Sequence, residues 1–589
     1  MLQRHSPPFK IVMNVILIRT FQKPNHTFLR LELMKIIIPM SGFGERFRNA
    51  GYDIPKPLIK IDGKPIIAHV IDLFPGESDF IFICNQQHLN EPEYRMEAIL
   101  KEYCPPGRIV GIPPHKLGPI NAVRQVEHLL DPTEPVIVNY CDFTCYWDWH
   151  HFKRYVKETA CVGAIPAYNG FHPHSLGSTN YAYMREKDGW VQDIQEKQPY
   201  TNNRMEEYAS SGTYYFASAQ IMGKAFRTVM EQDLNVGGEY YVSLAYKPLL
   251  ENKNPVALYP LQHFMQWGTP EDVAEYNYWS KAFVSLIARP DSTSSPKGSL
   301  VVPMAGLGQR FADEGYELTK PLIPVSGLPM VAQATHDLPP AEHHVFVLRA
   351  DMPGHVDVAN QLSALNPKGL IKTIDRVTEG QACTALIGLD ALENNGVKNC
   401  SPITIGACDN GALYDVESFD KLAQDPSVDI IVWGVRGYPN AIRNPKMFGW
   451  IDAVDGQVRS VSVKTPLGNS ESDPIVLGTF TFRRAEDFRR ALDRLIERDG
   501  RINGEFYIDS LINDAIELGL QCSLFEVDSY LCWGTPNDLR TFEYWQSCFH
   551  KWTSHPYSLA LDDRIPSAQV GLLEARYEAT IPALPGTFV

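Results

Sequence analysis

The 589-residue chain lacks the features of several common protein classes. No apolar run reaches the ~18 residues that a membrane-spanning helix needs, so we predict no membrane span. No long basic run offsets the net charge of −15, which argues against a nucleic-acid partner. The 11 cysteines are odd in number and include no C-x-x-C pair, which indicates free thiols in a reducing compartment. We therefore predict a cytoplasmic protein.

Two common nucleotide-binding signatures are also missing. The Walker A sequence G-x-x-x-x-G-K-[ST] does not occur, and the third glycine of G-x-G-x-x-G is replaced by Phe47 and by Phe311. The chain instead contains one stretch twice, at residues 35–67 and again at 299–331. Of the 33 aligned positions 14 are identical, where chance at ordinary composition would give about two.

The repeated stretch has the composition of a phosphate site. A short β-branched apolar run predicts a buried strand, two glycines end it, and a polar helix start follows. Such a turn directs backbone N–H groups at an anion, and arginine and lysine add fixed cations. Pro57 favours an extended backbone at the lysine before it. The residues repeated at this site are Gly42, Gly44, Arg46 and Lys56 in the first copy and Gly306, Gly308, Arg310 and Lys320 in the second.

This stretch resembles the N-terminal signature of the sugar-phosphate nucleotidylyltransferase family, in particular its short-loop members from capsule and lipopolysaccharide gene clusters. The resemblance covers about residues 34–280 and 299–547. It implies an α/β fold with two tandem Rossmann-like (GT-A-like) nucleotidyltransferase domains, each built on a mixed, mostly parallel central sheet. The offset between equivalent positions stays between 264 and 267, which predicts one fold for both halves with few insertions.

We expect five segments along the chain. Residues 1–33 are an N-terminal extension or an over-assigned start, because Met34 stands directly before the first predicted strand. The segments that follow are a first domain at 34–285, a linker at 286–298 rich in proline, serine and threonine, a second domain at 299–549 and a C-terminal tail at 550–589.

An aspartate follows a predicted central strand in each half. The runs at 136–140 and 403–407 are apolar, and each is followed by a Cys-Asp pair that ends in Asp142 or Asp409. Open α/β sheets bind ligands at this end of their strands, and Mg²⁺ is usually held by one or two carboxylates plus substrate phosphates. The resemblance implies that both aspartates bind Mg²⁺. A helix N-cap is the structural alternative.

The metal set is incomplete by comparison with the family. Many members carry a second aspartate just before a Gly-Thr-Pro sequence. Here the residues before Gly268 and Gly534 include no acid. Either the nucleotide and water supply the missing oxygens or metal binding is weak.

The resemblance also assigns nucleotide and acceptor residues. Gly118 and Gly380 lie in the loop that holds the base in the family, and the two halves differ around them, which predicts different bases; a neutral surface loop is the alternative. The residues expected to bind the acceptor are Glu196, Lys197, Gly212 and Glu239 in the first half and Lys464, Gly478 and Glu505 in the second. Glu196 has no acidic counterpart at the equivalent position of the second half.

The predicted activity is nucleotidyl transfer from an NTP to a sugar phosphate or related phosphorylated alcohol, giving an NDP-sugar and pyrophosphate for capsule or surface polysaccharide. Arg46, Lys56, Arg310 and Lys320 would be the catalytic cations. The alternatives are a GT-A-type glycosyltransferase, one catalytic half beside a regulatory half, and a non-enzymatic nucleotide-sugar sensor. The metal strands carry no D-x-D sequence, which glycosyltransferases of this fold typically have. Two copies on one chain also predict an intrachain pseudo-dimer, with a homo-oligomer as a further possibility.

Overall fold

The computed structural model describes residues 34–178, 180–288, 295, 297–578 and 581–588. The predicted extension at 1–33 and most of the predicted linker lie outside the described residues. The described chain is a mixed α/β protein, which confirms the predicted fold class at that level. In the part of the chain that the structure describes, no helix is both long enough and apolar enough to cross a bilayer.

The first half forms a ten-stranded mixed sheet. In spatial order its strands are Arg108–Ile112, Phe80–Asn85, Lys35–Met40, Val136–Asn139, Thr213–Phe216, Gly163–Tyr168, Val256–Pro260, Trp190–Glu196, Ala182–Lys187 and Tyr208–Ser210. The first four of these strands are mutually parallel, and the fifth is antiparallel to both of its neighbours. Ile36, Ile37 and Ile38 are fully buried, because both faces of this central strand are covered.

The second half forms a nine-stranded sheet with the same order of strands. They are Leu370–Ile374, His343–Arg349, Ser299–Met304, Ile403–Ile405, Ile475–Phe482, Ile430–Val435, Cys522–Glu526, Gln457–Val463 and Gly449–Val454. Here one long strand, Ile475–Phe482, pairs with two central strands and also with the edge strand Gly449–Val454. In the first half these pairings are divided between two shorter strands, Thr213–Phe216 and Tyr208–Ser210.

A two-stranded antiparallel ribbon lies beside each main sheet. Phe143–Tyr146 pairs with His263–Gln266, and Asn410–Leu413 pairs with Ser529–Cys532. Each ribbon begins directly after the predicted metal aspartate of its half. A shorter hairpin follows each repeated lysine and consists of Lys60–Ile61 with Lys64–Pro65, or Pro324–Val325 with Leu328–Pro329.

Helices cover the sheets and connect their strands. In the first half they are Glu45–Asn49, Ile66–Ile71, Gln86–Asn90, Met96–Tyr103, Pro119–Arg124, Trp149–Thr159, Ala219–Glu231, Tyr246–Glu251 and Pro270–Ile287. In the second half they are Gln309–Asp313, Met330–His336, His355–Leu365, Gln381–Asn394, Val416–Gln424, Pro439–Arg443, Ala485–Glu497, Ile508–Glu517 and Pro536–Lys551. One further helix, Ser567–Tyr577, lies in the tail.

The last helix of each half reaches the ribbon of the other half through a tyrosine. The Tyr544 hydroxyl accepts a hydrogen bond from Phe264 N at 3.1 Å and donates one to Phe264 O. The Tyr278 hydroxyl accepts from Tyr530 N at 2.7 Å and donates to Tyr530 O at 2.9 Å. The two tyrosines occupy equivalent positions in the repeat, as do the two residues that they bind. The contact between the halves is therefore reciprocal.

The tail residues contact both halves. The buried Arg564 guanidinium lies 3.4 Å from Asp337 and 3.2 Å from Asp562, so its charge is balanced by carboxylates. Farther along, Gly586 N donates to Asp188 O at 2.9 Å, and the Trp190 indole donates to Gly586 O at 2.6 Å. The tail thus contacts the second half through Arg564 and the first half through Gly586.

Candidate active site

A cavity of about 480 Å³ opens at the carboxyl ends of the central strands of the first half. It is lined by every residue that the sequence predicted for this half, namely Gly42, Gly44, Arg46, Lys56, Gly118, Asp142, Glu196, Lys197, Gly212 and Glu239. These residues come from segments that are far apart in the sequence. The structure brings them together, and their individual roles stay predictions.

The glycine turn leaves its backbone accessible. Gly44 adopts φ +65°, a left-handed conformation that favours glycine, and Gly308 has the same φ in the second half. No atom lies within 4 Å of the position that a Cβ would take at Gly42, and the same holds for Gly306. A ligand can therefore approach both turns closely.

Lys56 forms an ion pair with the aspartate that follows the central strand. Its Nζ lies 2.7 Å from Asp142 Oδ2, and Lys320 Nζ lies 2.5 Å from Asp409 Oδ2. Burial lowers the pKa of Lys56, but the Asp142 carboxylate raises it by more. The net pKa is above its ordinary value, so the lysine stays an ammonium ion. Lys320 has its pKa raised for the same reasons.

The extended backbone predicted at Lys56 is wrong. The lysine opens a 3-10 turn, Lys56–Leu58, in which Leu58 N donates to Pro55 O at 2.9 Å. Proline is tolerated in a first helical turn because the N–H that it lacks would have no partner there. The second half has the same turn at Lys320–Leu322.

The two aspartates do not cap a helix. Asp142 and Asp409 each precede a strand of the ribbon, so the N-cap alternative is wrong. A Cβ at Gly268 would lie 3.4 Å from Asp142 Oδ2, and one at Gly534 would lie 3.3 Å from Asp409 Oδ2, so a side chain at either glycine would crowd the carboxylate. The described residues include no cluster of three His, Cys, Asp or Glu side chains. One carboxylate completed by substrate phosphates is the usual Mg²⁺ arrangement.

The nearby acid Asp272 serves a structural purpose. It lies in the first turn of helix Pro270–Ile287 and forms a capping box with Thr269. Gln266, which stands before the Gly-Thr-Pro sequence, donates to its carboxylate at 2.8 Å. Burial would raise the pKa of Asp272, but hydrogen bonds from His174, Gln266 and Thr269 lower it. The carboxylate is engaged by protein groups at the base of the cavity.

The predicted acceptor lysines have a strained backbone in both halves. Lys197 has φ +59° and Lys464 has φ +56°, which is uncommon for a residue with a side chain and is typically stored at functional sites. Lys197 Nζ donates to the Tyr241 hydroxyl at 2.5 Å, and Lys464 Nζ donates to the Tyr507 hydroxyl at 3.0 Å. The sequence analysis missed these tyrosines, although each follows a repeated Gly-Glu pair.

Glu196 points into the same part of the cavity. Burial raises its pKa to about 7, while the Ser243 hydroxyl and Lys197 lower it. Ser243 Oγ donates to Glu196 Oε2 at 2.6 Å. Glu239 accepts a hydrogen bond from the Tyr241 hydroxyl, which in turn accepts one from Lys197.

Gly212 and Gly478 both adopt left-handed backbone conformations, with φ +99° and +84°. A Cβ at Gly212 would lie 3.1 Å from the rings of Tyr140 and Phe143, whereas at Gly478 the nearest atom is Ala407 Cβ, at 3.6 Å. The second half therefore has more space at this point.

The predicted base loop needs its glycine for packing. Gly118 has φ +82°, and a Cβ there would lie 2.7 Å from Tyr240 N. Gly380 has φ +130° and lies equally close to the backbone of Phe506. The surroundings of the two loops differ, since Lys116 pairs with Glu45 at 2.6 Å in the first half. In the second half, Glu379 pairs with Arg501 at 3.1 Å.

Two predicted second-half residues have different surroundings from their first-half counterparts. Arg310 lines a separate cavity of about 400 Å³, together with Leu176 of the first half and the start of helix Pro536–Lys551. Glu505 is exposed, whereas Glu239 is half-buried. Each half therefore has its own lysine–aspartate pair, and the two halves differ in the surroundings of Arg310 and Glu505.

Comparison with known proteins assigns the first half to a family. Residues 35–258 match the family model described as nucleotidyl transferase. Over these residues the chain is similar to the nucleotidyl transferase family. The match confirms the resemblance seen in the sequence.

Part of the chain is similar to curated proteins. Mannose-1-phosphate guanyltransferase beta-A from Xenopus laevis is 25% identical over 200 residues, which are 32% of this chain and 51% of the relative. The bifunctional protein GlmU from Paraburkholderia phytofirmans is 33% identical over 225 residues, which are 37% of this chain and 45% of the relative. The chain spans about half the length of the curated relatives it matches.

Solved structures are similar at low identity. A nucleoside-diphosphate-sugar pyrophosphorylase from Vibrio cholerae RC9 is 22% identical, with a TM-score of 0.35, over 41% of this chain and 98% of that one. An inositol-1-phosphate CTP transferase from T. maritima is 14% identical, with a TM-score of 0.33, over 43% of this chain and 96% of that one.

Proposed function

We propose that the protein transfers a nucleotidyl group from an NTP to a sugar phosphate or a related phosphorylated alcohol, giving an NDP-sugar and pyrophosphate. The observation that carries the proposal is the convergence of three features in one cavity. These are the open turn at Gly42, the ion pair of Lys56 with Asp142, and the strained Lys197. The family of residues 35–258 supports the same reaction class.

The chemistry needs positioning and charge stabilisation and no strong base. The attacking oxygen belongs to a phosphate that is already an anion, and it displaces pyrophosphate at the α-phosphorus in line. Arg46 and Lys56 hold the triphosphate and the leaving pyrophosphate over the glycine turn, whereas Lys197 holds the acceptor phosphate. The strained backbone at Lys197 fixes the direction from which that phosphate approaches.

Mg²⁺ is the proposed cofactor. Asp142 would hold it in the first half and Asp409 in the second, together with phosphate oxygens of the substrate. When bound there, the ion relieves negative charge on the phosphates in the transition state.

We further propose that residues 299–549 form a second nucleotidyltransferase domain and that the two domains act as an intrachain pseudo-dimer. The lysine–aspartate pair, the 3-10 turn and the strained lysine all occur in the second half. The differences at the base loop favour two activities over two identical sites. A cytoplasmic role in making precursors of capsule or surface polysaccharide fits this chemistry.

The test is a matrix of the five common NTPs against hexose 1-phosphates and polyol phosphates, with pyrophosphate release as the readout. We expect two productive pairs, one abolished by Lys56→Ala and the other by Lys320→Ala. A single productive pair insensitive to Lys320→Ala would instead support one catalytic and one regulatory half. Sugar transfer from NDP-sugars to hydroxyl acceptors, without pyrophosphate release, would refute the proposal in favour of a glycosyltransferase.

A further inference from the structure

The two acceptor sites differ in one carboxylate. In the first half, Glu196 ends the strand Trp190–Glu196 directly before the strained Lys197, and its Oε2 accepts a hydrogen bond from Ser243 Oγ. In the second half, the residue before Lys464 is Val463, whose side chain offers neither a charge nor a hydrogen-bonding group. If the second half binds a sugar phosphate, its acidic group has to come from elsewhere.

The strand register shows that these positions are equivalent. Glu196 pairs across its hairpin with Ala182, and Val463 pairs in the same way with Gly449. The lysine that follows donates its N–H to the residue before that partner, at 2.8 Å in the first half and 3.0 Å in the second. The two hairpins are therefore in the same register.

A carboxylate lies at the position that Ser243 occupies in the first half. That position is two residues after the tyrosine whose hydroxyl accepts from the lysine, and in the second half it is Asp509, two residues after Tyr507. A Cβ added at Gly449 would clash with Asp509 Oδ2, so the acid lies against the start of the strand Gly449–Val454. In the first half the same strand position is Ala182, and the counterpart of Asp509 is the uncharged Ser243.

The hairpin and the helix segment have thus changed together. Where the first half has Ala182, Glu196 and Ser243, the second half has Gly449, Val463 and Asp509. The acid stands on the strand in the first half and at the start of helix Ile508–Glu517 in the second. The strand that this helix faces has glycine at position 449 in place of alanine, so no methyl group blocks the acid.

We propose that Asp509 supplies the second acceptor site with the carboxylate that Glu196 supplies in the first, so that the two sites bind sugar hydroxyls through carboxylates carried by different segments of the chain. This inference rests on the proposed function of the second half. Burial raises the pKa of Asp509 to about 6, and the charge of Lys464 lowers it. Glu196 and Lys197 are related in the same way.

The acceptor of the second site is therefore expected to differ from that of the first. The positions of Tyr140 and Tyr214, whose rings lie at the first cavity, are Ala407 and Phe480 in the second half. The second site loses two hydroxyl groups and gains space beside Gly478. We expect it to accept a bulkier phosphorylated sugar.

A structural role for Asp509 makes a different prediction. The acid lies in the first turn of helix Ile508–Glu517, where it would favour the helix dipole. A dipole effect would appear in thermal stability and would leave the KM values unchanged. It would also give no reason for the glycine at position 449.

The experiment uses the full chain with the first site silenced by Lys56→Ala. Pyrophosphate release is measured over a panel of hexose 1-phosphates, and KM is determined separately for the acceptor and for the NTP. We expect Asp509→Ser to raise the acceptor KM by about tenfold to a hundredfold, the range for losing a hydrogen bond to a charged group, and to leave the NTP KM unchanged. Asp452→Ser, an exposed acid on the neighbouring strand, is the matched control.

The decisive variant rebuilds the first arrangement in the second half. Gly449→Ala, Val463→Glu and Asp509→Ser together should restore a low acceptor KM and shift sugar preference toward that of the first site. Should Asp509→Ser fail to fold, Asp509→Asn provides the same KM comparison. An unchanged acceptor KM in the Asp509 variants, while Lys464→Ala abolishes turnover, would overturn the assignment and leave the proposed function intact. No pyrophosphate release from the Lys56→Ala background with any pair would refute the activity of the second half, and this assignment with it.

Discussion

Removing Lys56 or Lys320 should silence one site and spare the other. Each ammonium lies within hydrogen-bond distance of the aspartate in its own half, and the two pairs are built by separate sheets. Lys56→Ala removes a cation from the first cavity and leaves Asp142 as an unpaired negative charge facing the triphosphate. The same reasoning applies to Lys320→Ala and Asp409.

The size of the effect follows from the geometry. The Lys56 and Asp142 side chains are each 24% exposed, so their surroundings are intermediate between water and a dry interior. At an effective dielectric constant of about 20, a unit charge at about 3 Å interacts with the ammonium by roughly 5 kcal/mol before solvation costs. Measured losses for one donor that stabilises the transition state are about 3 kcal/mol, or ~100-fold in kcat. We expect a loss of that order in each single variant.

The assay follows pyrophosphate release for the two productive substrate pairs in the wild type, the two single variants and the double variant. Lys60→Ala, an exposed lysine on the hairpin after the same turn, is the matched control and should keep both activities. A double variant with the wild-type rate for either pair would refute the assignment of these lysines. A single variant that slows both pairs equally would refute the independence of the sites.

Three further predictions concern the first half. Because burial raises the pKa of Glu196 to about 7 from 4.5, the folded state keeps this proton to a higher pH than the unfolded chain. The free energy of unfolding should therefore fall as pH rises from about 4.5 to about 7, by at most about 3 kcal/mol, and Glu196→Gln should remove this slope in urea titrations at several pH values. Gly118→Ala should destabilise the protein by more than about 1 kcal/mol, because its Cβ meets the Tyr240 backbone, whereas Gly42→Ala, where that space is empty, should leave the thermal midpoint nearly unchanged. Chelation with EDTA should abolish pyrophosphate release and added Mg²⁺ should restore it, while Asp142→Asn should raise the Mg²⁺ concentration needed for half-maximal rate. Turnover that persists in EDTA would contradict the proposed cofactor.

Local sequence patterns were sufficient to predict the central strands and the residues that follow them. The apolar run at 36–40 predicted a strand that extends from Lys35 to Met40, and the run at 136–140 predicted one that ends at Asn139. Asp142 could be placed at the ligand-binding edge because the carboxyl ends of parallel strands meet there. These inferences need only neighbouring residues and a general rule of sheet topology.

Features that depend on distant contacts could not be read from the sequence. Gly118 is fixed by the backbone of Tyr240, and no local pattern links the two. Proline statistics favoured an extended backbone at Lys56, but a hydrogen bond from Leu58 N to Pro55 O closes a tight turn instead. Asp509 was not predicted as a site residue, because its relation to Gly449 and Val463 appears only when the strand register is known.

The reciprocal tyrosines have a consequence for how the molecule can change over time. In an assembly of two identical subunits, every substitution at a contact occurs twice and must suit both copies at once. Here Tyr278 and Tyr544 hold equivalent surfaces that are encoded separately, so a change beside one leaves the other untouched. The chain keeps the geometry of a matched pair while each half is free to acquire its own chemistry. Cutting it between the halves would leave each tyrosine hydroxyl without the main-chain groups that it now binds.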